Sequence, residues 1–270
     1  SAPFLNQIAD AGFHRTASSQ GVLKHSAGNQ APTTIPWQAP EGTPGDITLF
    51  FRNEHLSDLI GFEYANWHGR DAAQHFMTEL KAIHIRDNDA LIPVFLDGEN
   101  AWEYYPYNAW YFFSDLYGTL EKNTAIRTVT LSEAANVHRT RRTRLPRLTA
   151  GSWVFGTLST WLGNPDKNRA WDLLCDVKQC ADRALQGNRL TADERSAVVQ
   201  RLAVCESSDW FWWLGDYNSP QSVACFDSLF RENIKSLYRL LHLPVPVSLD
   251  HPISHGGGAP ESGGTMRRAT

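Results

Sequence analysis

Apolar residues follow two patterns along this chain of 270 residues. Over residues 1–130 short apolar runs alternate with helix-period stripes, and over residues 151–249 the stripes continue without the runs. Ser1-Ala-Pro-Phe-Leu5 reads as the first turn of a helix, where Pro3 is tolerated because its absent N–H would be unpaired anyway. Phe13–Ala17 and Ile47–Phe51 read as strands. Leu56, Leu59, Ile60 and Tyr64 then recur at helical spacing behind a candidate N-cap, Asn53. A second helix is predicted near Asp71–His84, with Ala72, Ala73, Phe76, Met77, Leu80 and Ile83 on one stripe. Leu91–Leu96 is too short for a helix and suits a strand buried on both faces. A helix from Asn108 to Lys122 and a brief strand at Ile126–Thr130 complete the pattern. Alternation of this kind implies parallel strands with helices outside. Four strands are too few to close a barrel of eight βα units, which takes ~250 residues, so the sheet is open or part of it is missing.

The second half predicts helices only. Asn164-Pro165 starts one, with Trp171, Leu174, Val177 and Ala181 inward and Gly187 past its end. Thr191-Ala-Asp-Glu194 is a capping box that opens the next. Ser219-Pro220 starts the longest, which carries Val223, Phe226, Phe230, Ile234, Leu237 and Leu241 and stops before Pro244 and Pro246. The expected organisation is an α/β domain over 1–130, an α-helical bundle packing on it over 131–249, and a disordered Gly/Ser/Pro-rich tail over 250–270.

Composition narrows the classes without choosing among them. An apolar share of 42% and a charged share of 20% describe an ordinary folded chain. No stretch approaches the ~20 apolar residues of a membrane span, so no membrane partner is expected. A net charge of −4 gives no electrostatic reason to bind nucleic acid. The run Arg139, Arg141, Arg142, Arg144 and Arg147 lacks interleaved aromatics and reads as a solvated loop. Cys175, Cys180, Cys205 and Cys225 form no C-x-x-C pair, which favours reduced, buried thiols. His55, His68, His75 and His84 show no metal-ligand spacing beyond the generic kind. The opening residues carry no targeting pattern, and the cytoplasm is the default compartment.

Two segments could carry chemistry. Asp97-Gly-Glu-Asn-Ala-Trp102 follows directly on the apolar run Leu91–Leu96, at the end of a strand where α/β folds place their ligands. Asp97 would stand partly desolvated beside Glu99, and both effects favour the protonated form that a general acid needs. The bland reading is a carboxylate that caps a loop or binds a structural cation. Two carboxylates from one tight loop approach from the same side, so a glycosidase pair would need a partner from another strand. In Glu206-Ser-Ser-Asp-Trp-Phe-Trp-Trp213 the indoles Trp210, Trp212 and Trp213 could stack on sugar rings, with Asp209 binding hydroxyls. Indoles also dominate cores, and four consecutive aromatics cannot all face one way, so some are structural.

Taken with Phe51-Arg-Asn-Glu-His-Leu-Ser-Asp-Leu-Ile-Gly-Phe62 and Gly151-Ser-Trp153, these segments resemble glycoside hydrolase family 57, of the α-amylase and 4-α-glucanotransferase type. The resemblance implies the last strands of a (β/α)7 barrel followed by a helical bundle, acting on an α-glucan or maltooligosaccharide by a retaining mechanism with no cofactor and no metal. It assigns the acid/base role to Asp97 and cleft-lining or supporting roles to Glu99, Trp102, Trp153 and the Asp209–Trp213 segment. The family's nucleophile is a glutamate on an earlier strand, ahead of the segment that aligns with Ser1. The chain therefore reads as a fragment, inactive by itself, that lacks the N-terminal barrel half as its partner. Two other readings stay open: a non-catalytic glucan-binding remnant, and a metal-dependent hydrolase that uses the Asp97/Glu99 loop with a histidine.

Overall fold

The computed structural model describes residues 2–98 and 101–259. The chain divides into two compact units between Thr157 and Leu158. The first is a mixed α/β unit. Helix α1 (Ala2–Asp10) leads to strand β1 (Arg15–Ser18) and helix α2 (Gln20–Ala27), whose N-terminus is capped by the Ser19 hydroxyl. Strands β2 (Trp37–Gln38) and β3 (Thr48–Phe51) come next. Helix α3 (Glu54–Asp58) follows, with Asn53 accepting from the Leu56 N–H as its N-cap, and it continues as a π turn over Leu59–Glu63. The predicted stripe at 56–64 is therefore helical throughout, but it is broken in geometry. Helices α4 (Gly69–Arg86) and α5 (Trp110–Glu121) pack together over Phe76, Met77, Phe112 and Leu116, before α6 (Leu131–Val137) and strand β4 (Thr143–Arg144).

Among the described residues the sheet has four strands in the order β1-β3-β2-β4. All four residues of β3 are buried, the apolar run Leu49–Phe51 together with Thr48. β1 pairs with β3 in parallel, Arg15 opposite Thr48 and Ser18 opposite Phe51. The expectation of parallel strands throughout is corrected at β2, which runs antiparallel to β3. β2 and β4 have two residues each, too few to leave a periodic signal.

Two predicted strands are not strands. Leu91–Leu96 forms no ladder: Pro93 has no N–H to donate, and the segment is held by single bonds, Leu91 N–H to the Thr34 carbonyl and Asn53 N–H to the Pro93 carbonyl. Ile126–Thr130 is irregular and ends as the cap of α6, where Thr130 and Glu133 close a capping box. The arginine run is exposed at Arg139, Arg144 and Arg147, as a solvated surface requires, but it is tied to distant partners. Arg141 pairs with Asp87 at 2.7 Å, Arg142 with Asp46 at 2.9 Å, and Arg147 donates to the His25 carbonyl at 3.0 Å. Partners 54 to 122 residues upstream are invisible to local pattern reading.

The second unit is helical. Helix α7 (Pro165–Gln186) is capped by Asn164, α8 (Ala192–Cys205) by the Thr191–Glu194 box, and α10 (Pro220–Leu240) by Ser219. The short α9 (Asp209–Trp213) joins them, and their apolar faces form one core with Val177, Val198, Phe211, Phe230 and Ile234 at its centre. The segment from 250, expected to be disordered, is docked at its start. The Ile253 N–H donates to buried Asp227 at 2.7 Å, and the Gly257 and Gly258 N–H groups donate to the Asn218 carbonyl. Residues 260–270 lie outside the described residues. Of the four thiols, all free, Cys205 alone is buried, and burial pushes its pKa up to about 11; Cys175 and Cys225 are exposed, against expectation. No helix among the described residues is long and apolar enough to cross a membrane.

Candidate functional site

The first unit contains a cavity of about 230 Å³, lined mainly by apolar groups. Ala17 and Ser18 from the end of β1, Arg52 from the end of β3, Gly61 and Phe62 from the π turn, and Trp153 surround the segment Phe95-Leu-Asp97. The cavity thus lies off the carboxyl ends of the two parallel strands, where α/β folds place their ligands.

Arg52 organises one wall. It is buried, its Nε donates to the Phe95 carbonyl at 3.0 Å, and its Nη2 pairs with Asp58 at 2.9 Å. The Phe95 N–H donates to the Ser57 hydroxyl at 3.3 Å, so the backbone two residues before Asp97 is held from both sides by the corner between β3 and α3. Asp97 itself is exposed at the mouth of the cavity. The expected partial desolvation is therefore corrected: without a ladder beneath it, the segment rises out of the core after Phe95. Glu99 lies outside the described residues.

Trp153 forms the facing wall on a tightly tied loop. The Ser19 hydroxyl donates to the Ser152 carbonyl at 2.9 Å, and the Ser152 hydroxyl donates to the Thr157 carbonyl at 2.6 Å. Gly156, with φ of 65°, lies directly against Gly21 at the start of α2. A Cβ on Gly151 would stand 2.2 Å from the Gly156 carbonyl oxygen. Glycine is thus a packing requirement at 156, where loop backbone touches helix backbone, and at 151, where the loop folds back on its own Gly156 carbonyl.

The other predicted residues sit elsewhere. The Trp102 indole N–H donates to the Gly98 carbonyl at 3.1 Å, and its ring packs 4.8 Å from that of Phe113 on α5 instead of lining the cavity. In the second unit, Asp209 is exposed at the start of α9. Trp210 donates from its indole to the Val204 carbonyl, Trp212 is buried beside Trp161, and Trp213 stacks on Phe226 at 4.6 Å. All three indoles therefore have packing partners within the helical unit. The structure brings together Asp97 and Trp153, and adds Arg52, Ser18 and Phe62. Arg52 falls inside one of the quoted motifs, yet its role depends on a carbonyl 43 residues away. Among the described residues no group of three His, Cys, Asp or Glu side chains is placed to hold a metal ion.

The model of the family described as glycosyl hydrolase family 57 matches residues 3–148, more than half of the chain. Solved structures share the fold. A branching enzyme from Thermococcus kodakaraensis, crystallised with glucose, is 14% identical with a TM-score of 0.70 over 91% of this chain. A branching enzyme from Pyrococcus horikoshii is 13% identical with a TM-score of 0.64 over 98%. The 4-alpha-glucanotransferase of Thermococcus litoralis is 14% identical with a TM-score of 0.58 over 88%. The chain spans 56%, 61% and 40% of the length of these three proteins. No curated protein matches the sequence.

Proposed function

The chain belongs to glycosyl hydrolase family 57, and on that premise we propose that it carries the acid/base half of a retaining site for α-glucans. The observation that carries this reading is that Asp97 and Trp153 line one cavity at the sheet end. The cavity is smaller than the ~300–1,000 Å³ clefts that bury drug-sized ligands, so it suits a single sugar residue of a longer chain. Trp153 offers that residue an apolar face. Asp97, as the carboxylic acid, donates its proton to the glycosidic oxygen while a carboxylate on the opposite side attacks the anomeric carbon. As carboxylate, Asp97 then takes a proton from water or from an acceptor hydroxyl, giving hydrolysis or glucanotransfer respectively. The opposing carboxylate belongs to the earlier barrel strand that the family resemblance assigns it to. Trp102 supports the Asp97 loop through its bond to the Gly98 carbonyl, and Trp210, Trp212 and Trp213 act through the packing of the bundle. The exposure of Asp97 suits its role, since the proton must be exchanged with an incoming acceptor.

One observation favours a second reading, glucan binding without turnover. Asp97 is the single carboxylate among the described residues that line the cavity. The test is titration with maltoheptaose followed by tryptophan fluorescence, together with an assay of glucan cleavage and transfer. The enzymatic reading expects saturable quenching that depends on Trp153 and, in the protein extended by the barrel strand that carries the opposing carboxylate, an Asp97→Asn variant that folds normally but loses about 10²–10⁴-fold in kcat. Binding with no turnover even by that extended protein leaves the second reading. Quenching unaltered in Trp153→Ala would overturn both.

A further inference from the structure

Helix α5 is anchored and oddly decorated. Its inner face is fixed by buried Phe112 and Leu116, and its start lies so close to α4 that a Cβ on Gly69 would stand 2.9 Å from the Phe112 nitrogen. Its outer face is aromatic. Trp110 is 69% exposed, Tyr111 55% and Tyr117 55%, and every exposed large apolar side chain on the helix is an aromatic with a polar N–H or O–H. Trp110, Phe113 and Tyr117 follow the i, i+3, i+7 spacing that puts them on one stripe. Phe113 and Tyr117 stack at 5.7 Å with their planes 14° apart, and Trp102 extends the row by packing on Phe113. The preceding turn adds Tyr107, 76% exposed and edge-on to Tyr111 at 5.2 Å. That turn holds Tyr107, Asn108 and Ala109 all at positive φ, 52°, 52° and 63°, a run that L-residues resist.

From this geometry we infer that the Trp110–Phe113–Tyr117 stripe of α5 is a second α-glucan-binding surface, separate from the Asp97–Trp153 cavity. The inference rests on the glucan reading above. The exposed rings of Trp110 and Tyr117, each with a polar edge and braced by half-buried Phe113, match the two-sided character of a pyranose, which has an apolar C–H face and a rim of hydroxyls. Seven residues of helix separate Trp110 from Tyr117, roughly 10 Å along the axis, a length that engages consecutive sugars of an extended chain instead of one ring. The surface is continuous with the proposed catalytic loop, because Trp102 bonds the carbonyl of Gly98, next to Asp97. It would hold a polymer while one of its residues enters the cavity.

Affinity electrophoresis of the full chain through gels containing glycogen tests this, with sedimentation to report oligomeric state and thermal melts to report folding. The double variant Trp110→Ala/Tyr117→Ala changes exposed residues only. It is expected to melt as the unsubstituted chain does and to lose roughly two- to tenfold in glycogen affinity per ring, while maltoheptaose quenching of Trp153 persists. Glycogen retention unchanged in the double variant but lost in Trp153→Ala overturns the surface and spares the cavity. A dimer that the double variant dissolves, with retention unchanged, assigns the stripe to self-association and also overturns it. Absence of retention by the unsubstituted chain removes the glucan reading itself.

Discussion

The Arg52 guanidinium donates to the carbonyl of Phe95, two residues before Asp97, while its far side pairs with Asp58. A buried cation therefore ties the end of the central strand to the start of the candidate catalytic loop. Arg52→Gln should remove the charge and leave Asp58 without its partner, costing about 1.5–3 kcal/mol, read as a lower midpoint in urea. Arg52→Lys keeps the charge but not the fork, and should weaken maltoheptaose binding with a smaller loss of stability. Equal binding by both variants and the unsubstituted chain would show that Arg52 has no part in setting the loop.

Gly151→Ala tests the second wall. The added methyl meets backbone, not a flexible side-chain end, at 2.2 Å, so the loop must move. Overpacking of this kind costs about 1–3 kcal/mol, and the Trp153 fluorescence should shift towards that of a solvated indole. Gly12→Ala is a control of a different kind, since nothing lies within 4 Å of its Cβ but its φ is 82°; it should cost stability without altering Trp153 emission.

Phe211 stacks on Trp171 at 3.7 Å and is fully buried. Phe211→Ala should cost about 3–5 kcal/mol, measured by denaturant unfolding of the helical unit. Trp213→Ala removes a half-buried ring that stacks on Phe226 and should cost less. A cost of Trp213→Ala near zero would show that this ring is not a core element.

Glu194 gives a pH-dependent prediction. The Thr191 backbone N–H and then His242 hold its pKa down to about 2 from the ordinary 4.5. Because the folded-state value is depressed, the stabilisation is complete above the ordinary value and is lost as pH falls towards about 2. Glu194→Ala should therefore lower the melting temperature at pH 7, and the gap to the unsubstituted chain should close between pH 5 and pH 2. A gap independent of pH over that range would mean that the carboxylate charge contributes nothing.

The helices were legible wherever cap and stripe agreed. Asn53, Asn164, Thr191 and Ser219 each cap the helix that local reading assigns to them, because a cap bond reaches only two or three residues along the chain. Leu91–Leu96 shows the limit. Its apolar run satisfies a strand pattern, yet a ladder needs a neighbour with matching N–H groups, and Pro93 cannot supply one. Of the candidate site, Asp97 and Trp153 could be singled out through the segments that resemble the family. Arg52 could not be assigned its task, and the tryptophan cluster could not be divided between ligand and core.

What the sequence determined alone was therefore whatever depends on short range: helix starts, amphipathic faces, the buried central strand, and through its motifs the family. Tertiary structure decided the rest. It chose which arginine meets which carboxylate, turned β2 against its neighbour, lifted Asp97 into solvent, and packed Trp210, Trp212 and Trp213 into the helical unit. Those outcomes depend on groups brought together from far along the chain, and their energies arise from burial and pairing that no local window contains.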